Sequence, residues 1–151
     1  MANNHHIEIN NFLNKNICKY IIDYINSNIE DSRLWNERKI ITVNENIKDP
    51  IIKNLYNLYV SLRPTEKLVN MELISWVKGG SHDWHEDTIY YKYTTITYLN
   101  DDFIGGRTEL KDFIIVPKVG KFIGFDASTL HKVNKLESGS RYVILAWYNH
   151  G

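Results

Sequence analysis

The chain has 151 residues, and its eighteen basic and eighteen acidic side chains cancel to a formal net charge of zero. That length suits one domain, 1–151, with a real core, and is too short for a catalytic domain plus an independent substrate-binding one. The charge balance gives no global field toward nucleic acid or an anionic membrane, and a single cysteine, Cys18, excludes an intrachain disulfide framework and any cysteine-based zinc site.

The first residues, Met1 to Ile7, lack a basic segment followed by an apolar stretch, and no run is long and apolar enough to span a bilayer. A soluble, cytoplasmic protein is expected, with His5 and His6 on a mobile end. After a short apolar start at Ile7 and Ile9, Asn10 or Asn11 can cap a helix with the buried stripe Leu13, Ile17, Tyr20, Ile21, Tyr24 and Ile25. Cys18 falls among these positions as a small core residue. Lys39 to Val43 reads as a short strand and Asn44 to Lys48 as a polar loop. Asp49-Pro50 then places a capping carboxylate before a proline at the first helical position, and Ile51, Leu55, Leu58, Tyr59 and Leu62 continue a stripe that Pro64 stops. Both stripes are expected to pack on a sheet.

From Leu68 onward the texture changes to short β-branched and aromatic runs. They are separated by turn residues at Gly79-Gly80, Asn100 to Asp102, Gly105-Gly106, Pro117, Gly120 and Ser138-Gly139. Strands at this spacing fold into a sandwich or barrel. The expected class is therefore α+β, mainly β, with a helical part over about 10–64 and a β core over about 68–148, and no linker between them. Trp84, Tyr90, Tyr91, Tyr93, Trp147 and Tyr148 have two readings, packed strand positions or the wall of a substrate groove; packing is the commoner role.

The chemistry-bearing residues are His85-Glu86-Asp87, His131 and, ten positions further on, Arg141. On a strand, His85 and Asp87 project from the same face and can share a metal. A His-x-acid triplet alone is common in a chain this acidic, and a lone histidine in Thr129-Leu130-His131-Lys132-Val133 is more often structural than a ligand. Arg141 is harder to explain blandly. If Val143, Leu145 and Trp147 face a core, alternation carries Arg141 inward, and a charge that is never lost must then find an anion. Two histidines and a carboxylate occupy one face of an octahedral Fe(II) and leave three positions open, as an oxygen-activating site requires. A carboxylate-bearing cosubstrate beside the iron would supply the anion for Arg141.

Five ordered blocks carry a family resemblance: Gly80 to Asp87, Thr97-Tyr98-Leu99-Asn100, Gly105 to Leu110, Val119 to Phe125, and His131 through Arg141 to Trp147. Over roughly Met71 to Tyr148 the chain resembles the 2-oxoglutarate and Fe(II)-dependent dioxygenases of the prolyl 4-hydroxylase type, and more closely their small bacterial and phage PKHD-type members. The resemblance implies a double-stranded β-helix, a cupin-like jelly roll with N-terminal helices on its sheet. It implies that His85, Asp87 and His131 ligate iron and form the catalytic centre, that Arg141 pairs with the distal carboxylate of 2-oxoglutarate, and that Tyr98 also contacts this cosubstrate. It implies hydroxylation of a C–H bond, most naturally of a prolyl residue in a peptide or protein, with release of succinate and CO2 and with ascorbate as a candidate reductant. His82 stands where many relatives carry tyrosine, and Trp76 where some do, so both stay outside the expected catalytic set.

Other readings remain open at this point. The target could be a free amino acid or other small metabolite, or a nucleobase; a cupin-type binding module could keep the metal without turnover; and a zinc hydrolase could use His82, His85 and His131. The last leaves Arg141 unexplained.

Overall fold

The computed structural model describes residues 6–35 and 37–151, so the expectation for His5 lies outside the described residues. In chain order the elements are β1 (Ile7–Ile9), α1 (Lys15–Ser27), a 3-10 turn (Ile29–Asp31), β2 (Arg33–Trp35), β3 (Arg38–Thr42), α2 (Pro50–Leu62), β4 (Glu66–Trp76) and β5 (His82–His85). They continue with β6 (Tyr93–Tyr98), β7 (Ile104–Gly105), β8 (Thr108–Leu110), β9 (Phe113–Ile114), β10 (Phe122–Asp126), β11 (His131–Val133), β12 (Leu136–Ser138) and β13 (Arg141–His150).

Among the described residues the strands form a large antiparallel sheet in the order β1-β10-β6-β13-β4-β3-β2, a smaller one in the order β5-β11-β8-β9, and the pair β12-β7. This is the mainly-β jelly roll, and strict alternation along the central strands gives the large sheet two differently covered faces. Ile144, Ala146 and Tyr148 of β13, with Met71 and Leu73 of β4, point outward onto the helices, where Ile21, Ile25, Ile52, Leu55 and Tyr59 bury them. Val143 and Leu145, with Ile74, Trp76, Ile96 and Tyr98, point inward and meet Leu110 and Val133 of the smaller sheet. Arg141 is carried inward by the same alternation, and is 1 % exposed.

Both helices form where periodicity and capping place them, with two corrections of detail. The first helix is capped by Asn14, not by Asn10 or Asn11: the Asn14 side chain accepts from the Ile17 amide at 2.9 Å. Asn11 is spent in a left-handed turn (φ 55°), and the Leu13 amide donates to the Gly120 carbonyl, which ties that residue to the sheet before the helix begins. Gly120 is required there, because a Cβ would lie 2.0 Å from the Leu13 carbonyl oxygen. The buried stripe of α1 is Cys18, Ile21 and Ile25, while Tyr20 lies on the exposed side, its hydroxyl donating to Asp49 at 2.7 Å. In α2 the cap is Asp49, as expected, accepting from the Ile51 and Ile52 amides. Its buried face is Ile52, Leu55 and Tyr59; Ile51 and Leu58 are turned to solvent.

Candidate metal and cosubstrate site

Antiparallel pairing puts His131 of β11 directly opposite His85 of β5. Cross-strand partners project on the same face, so the two imidazoles lie with ring centroids 4.1 Å apart. Asp87 follows β5 by two residues and is pinned by its own amide, which donates to the Ala127 carbonyl at 2.9 Å. Its carboxylate then stands 3.6 Å from His85 Nε2 and 3.4 Å from His131 Nε2. One ligand atom from each of the three residues falls within a common 4.8 Å.

The hydrogen bonds behind these side chains decide which atoms face the centre. His85 Nδ1 lies 2.6 Å from the Asp83 carbonyl oxygen, and His131 Nδ1 lies 2.8 Å from that of Thr129. A carbonyl only accepts, so each Nδ1 donates, and each Nε2 is the nitrogen turned toward Asp87 and the one available to a metal. Thr94 Oγ1 and Trp147 Nε1 donate to Asp87 Oδ2 at 2.8 and 3.3 Å. Burial pushes the Asp87 carboxyl up, but the contact with His131 and the Thr94 bond outweigh it and hold the group below its ordinary value. Burial pushes the His85 imidazole down, helped by the charge of His131. Neutral imidazoles and an ionised carboxylate are the forms that bind a divalent ion, and cis ligands ~2.1 Å from one ion lie about 3 Å apart. The donor set fits Fe(II).

These residues open into a cavity of about 430 Å³ that Arg141 also lines. The Arg141 guanidinium lies 4.9 Å from the Trp76 ring centroid and 5.4 Å from that of Tyr98. Its Nη2 donates to Thr108 Oγ1 at 3.1 Å, and its Nε is buried with no partner among the described residues. Burial lowers its affinity for the proton. Gly106 makes room for it: at φ 61°, a Cβ there would meet Arg141 Cδ at 3.2 Å.

His85, Asp87, His131 and Arg141 therefore share one cavity. Tyr98 does not line it; its hydroxyl bonds to Thr108 Oγ1 at 2.6 Å, behind the guanidinium. His82 does line it, stacked on His85 with centroids 3.6 Å apart, and burial with the neighbouring His85 charge pushes its imidazole down to about 4. Of the aromatic residues with two readings, Tyr90, Tyr91 and Trp147 line the cavity, while Tyr148 is packed in the helix-facing core. Arg38, Trp35 and Trp76 also line it, and only Trp76 was considered from the sequence. Alternation turns Arg38 inward with Ile40, but Ile41 is equally apolar and faces the helices, so the sequence alone did not say which face of β3 was the inner one.

Comparison with known proteins agrees with this geometry. The family model described as the 2OG-Fe(II) oxygenase superfamily matches residues 71–149. No curated protein sequence matches. Among solved structures, a Pseudomonas putida prolyl-4-hydroxylase superposes with a TM-score of 0.82 at 14% identity, covering 99% of this chain and 95% of that one. The viral collagen prolyl hydroxylase of Paramecium Bursaria Chlorella virus-1, in complex with 2OG, gives a TM-score of 0.74 at 16% identity, covering 99% and 97%. A Trichoplax adhaerens prolyl hydroxylase in complex with a hypoxia inducible factor peptide fragment gives 0.77 at 18% identity, covering 98% and 84%. At such identities these structures share the fold; the matched family model covers more than half of the chain and names its chemistry, and the chain belongs to the 2OG-Fe(II) oxygenase superfamily, enzymes that work with Fe(II), 2-oxoglutarate and dioxygen.

Proposed function

We propose that the chain hydroxylates a C–H bond of a prolyl residue in a peptide or protein, with His85, Asp87 and His131 holding Fe(II) and Arg141 gripping the distal carboxylate of 2-oxoglutarate. The observation that carries this reading is the convergence of three ligand atoms within 4.8 Å in a cavity whose wall holds a buried guanidinium without an anion. The bound metal supplies the oxygen chemistry, by which 2-oxoglutarate, dioxygen and R–H become succinate, carbon dioxide and R–OH.

The chain's own share is position and shelter. Asp83 and Thr129 carbonyls aim the two imidazoles, and Thr94 and Trp147 aim the carboxylate, so little reorganisation is needed when the ligands are engaged. Arg141 offers a planar fork to a carboxylate, and Thr108, backed by Tyr98, fixes the rotation of that fork. In this reading Tyr98 is a positioning residue that acts through Thr108. Ile74, Ile96, Val133 and Leu145 form apolar walls that keep water from the reacting atoms.

Three features support a peptide as substrate. The mouth is open and aromatic, with Ile89 85 % and Tyr90 72 % exposed at its rim. The segment between Asp87 and β6 is short, so no large lid closes there. The similar folds include prolyl hydroxylases, one of them described with a peptide bound. We read residues 1–151 as one catalytic unit, since both helices pack on the outer face of the sheet that carries Arg141. A cytoplasmic location fits the single, buried cysteine; among the described residues no helix is long and apolar enough to cross a membrane.

Protein reconstituted with Fe(II) under argon, then given oxygen and 2-oxoglutarate, should form succinate slowly. It should form succinate faster with a proline-containing peptide, whose mass grows by one oxygen atom. His131→Ala should abolish both. Wild-type protein that binds iron and 2-oxoglutarate yet never yields succinate, alone or with any peptide, free amino acid or other small molecule offered, would instead be a binding module of the cupin type.

A further inference from the structure

A second guanidinium stands in the same cavity, with two of its three nitrogens buried and unpartnered among the described residues. Arg38 of β3 pairs in register with Trp76 of β4, and Trp76 pairs with Arg141 of β13, so Arg38, Trp76 and Arg141 form one row across three strands on the inner face. Two inter-strand spacings separate the backbones of the arginines, about 10 Å. The Arg38 guanidinium lies 4.7 Å from the Trp76 ring centroid and 4.0 Å from that of Trp35, and the residue is 3 % exposed. Its Nε and Nη2 are buried with no partner among the described residues.

An unpaired buried cation is costly, and indole faces offset that cost only in part because they satisfy no N–H donor. The carboxylate whose charge acts on Arg38, Glu72, is already committed: it accepts from Arg33 at 2.7 Å. Burial, then the charge of Arg141, pushes Arg38 down to about 10, so it remains a cation at neutral pH. Net charge alone does not call for a further anion, because Glu86 also lines the cavity and balances the count; the unpartnered donors of Arg38 do.

We propose that Arg38 is the anchor for a carboxylate of the substrate, a second anion subsite separated from the cosubstrate's by the indole of Trp76. This rests on the hydroxylase reading and narrows it to substrates that carry an anion next to the target C–H bond. His82 lies between this subsite and the ligand set: its ring is 6.0 Å from the Trp35 ring and is stacked on His85. A carboxylate on Arg38 therefore holds the bonds beside it close to the metal ligands. Trp35, on the edge strand β2 and 48 % exposed, forms the outer wall through which the substrate reaches the guanidinium. Such a carboxylate has two sources, the α-carboxylate of the target residue itself or the side chain of an adjacent Asp or Glu in a peptide.

The first test does not depend on turnover. The 151-residue chain loaded with Mn(II) and saturating 2-oxoglutarate is melted in increasing acetate, with chloride at equal ionic strength as control. Wild type should gain about 2–4 °C at acetate about five times its dissociation constant, and Arg38→Met should gain nothing. Equal gains in both would overturn the proposal. So would an unliganded Arg38→Met that melts more than about 5 °C below wild type, since the arginine would then be a structural tie; Arg38→Lys, which keeps the charge without the fork, should respond weakly.

The second test names the source. N-acetyl-proline is compared with its amide, and acetyl-Pro-Glu-amide with acetyl-Pro-Gln-amide, by KM for succinate formation. One acid should beat its neutral partner by roughly 10- to 100-fold in wild type and by nothing in Arg38→Met, with the KM for 2-oxoglutarate unchanged. A matching rise in the 2-oxoglutarate KM would reassign Arg38 to the cosubstrate and sink the idea. If no proline compound is hydroxylated while 2-oxoglutarate still turns over, the prolyl reading fails, and the acetate melts alone decide the fate of Arg38.

Discussion

The two faces of β13 carry buried polar groups in opposite states. On the side toward the helices, the Tyr148 hydroxyl donates to the Tyr59 carbonyl at 2.6 Å, and the Tyr59 hydroxyl pairs with that of Thr97. On the side toward the cavity, Arg141 Nε has no partner among the described residues, nor do Arg38 Nε and Nη2 or Trp76 Nε1. Buried donors are normally satisfied, and a cluster of exceptions in one place marks where a protein expects something it does not itself contain. The outer face is completed by the chain; in the function proposed above, the inner face is completed by ligands.

That contrast can be broken most forcefully on the outer face. Leu73→Ala, fully buried beneath the helices, should cost about 2–5 kcal/mol in urea unfolding, with the folded fraction keeping its KM for 2-oxoglutarate. A loss below about 1 kcal/mol would mean that the helix layer does not carry the stability assigned to it. On the inner face, Arg141→Met should raise the 2-oxoglutarate KM about 30-fold, equivalent to about 2 kcal/mol, while metal binding is kept. Its melting temperature should hold or rise, because an apolar side chain of similar volume replaces an unpaired buried charge. A variant that melts early and loses metal and cosubstrate together would make Arg141 structural.

The smallest effect sharpens the comparison far from the cavity. Asp49→Ala should lose about 1 kcal/mol through the uncapped start of α2, without change in turnover. Partial burial acts to raise the Asp49 carboxyl, but the Tyr20 hydroxyl and the Ile52 and Ile51 amides outweigh it and hold the group below its ordinary value. A carboxyl lowered on folding contributes in full above its unfolded-state value and loses that contribution as the pH falls through its folded-state value. Denaturation midpoints of wild type and variant should therefore converge in acid, below the ordinary carboxylate range.

Much of the site was legible because its signals are local. His85 and Asp87 are two apart, Asp49-Pro50 is a dipeptide, and the inward turn of Arg141 follows from three apolar neighbours at alternate positions. What was missed depends on pairing between distant strands. Trp76 sits between two arginines only because β3, β4 and β13 are neighbours in one sheet, although residues 38, 76 and 141 are far apart in the chain. The cap of α1 was misplaced for a related reason. Three asparagines compete within five residues, and the choice of Asn14 follows from the tie between Leu13 and Gly120, a contact that no local pattern encodes.

The place of β13 has a bearing on how the molecule is made. It leaves the ribosome after every other described strand, yet it lies at the middle of the large sheet, hydrogen-bonded to β6 on one side and β4 on the other. Synthesis runs from the amino terminus at about 5–20 residues per second, so for a few seconds the nascent polypeptide holds two half-sheets whose facing edges are bare. Those edges are sticky templates for other chains. Oxygenase competence and escape from aggregation thus arrive together, with the same ten residues, and chaperone cover is most needed just before translation of this segment ends.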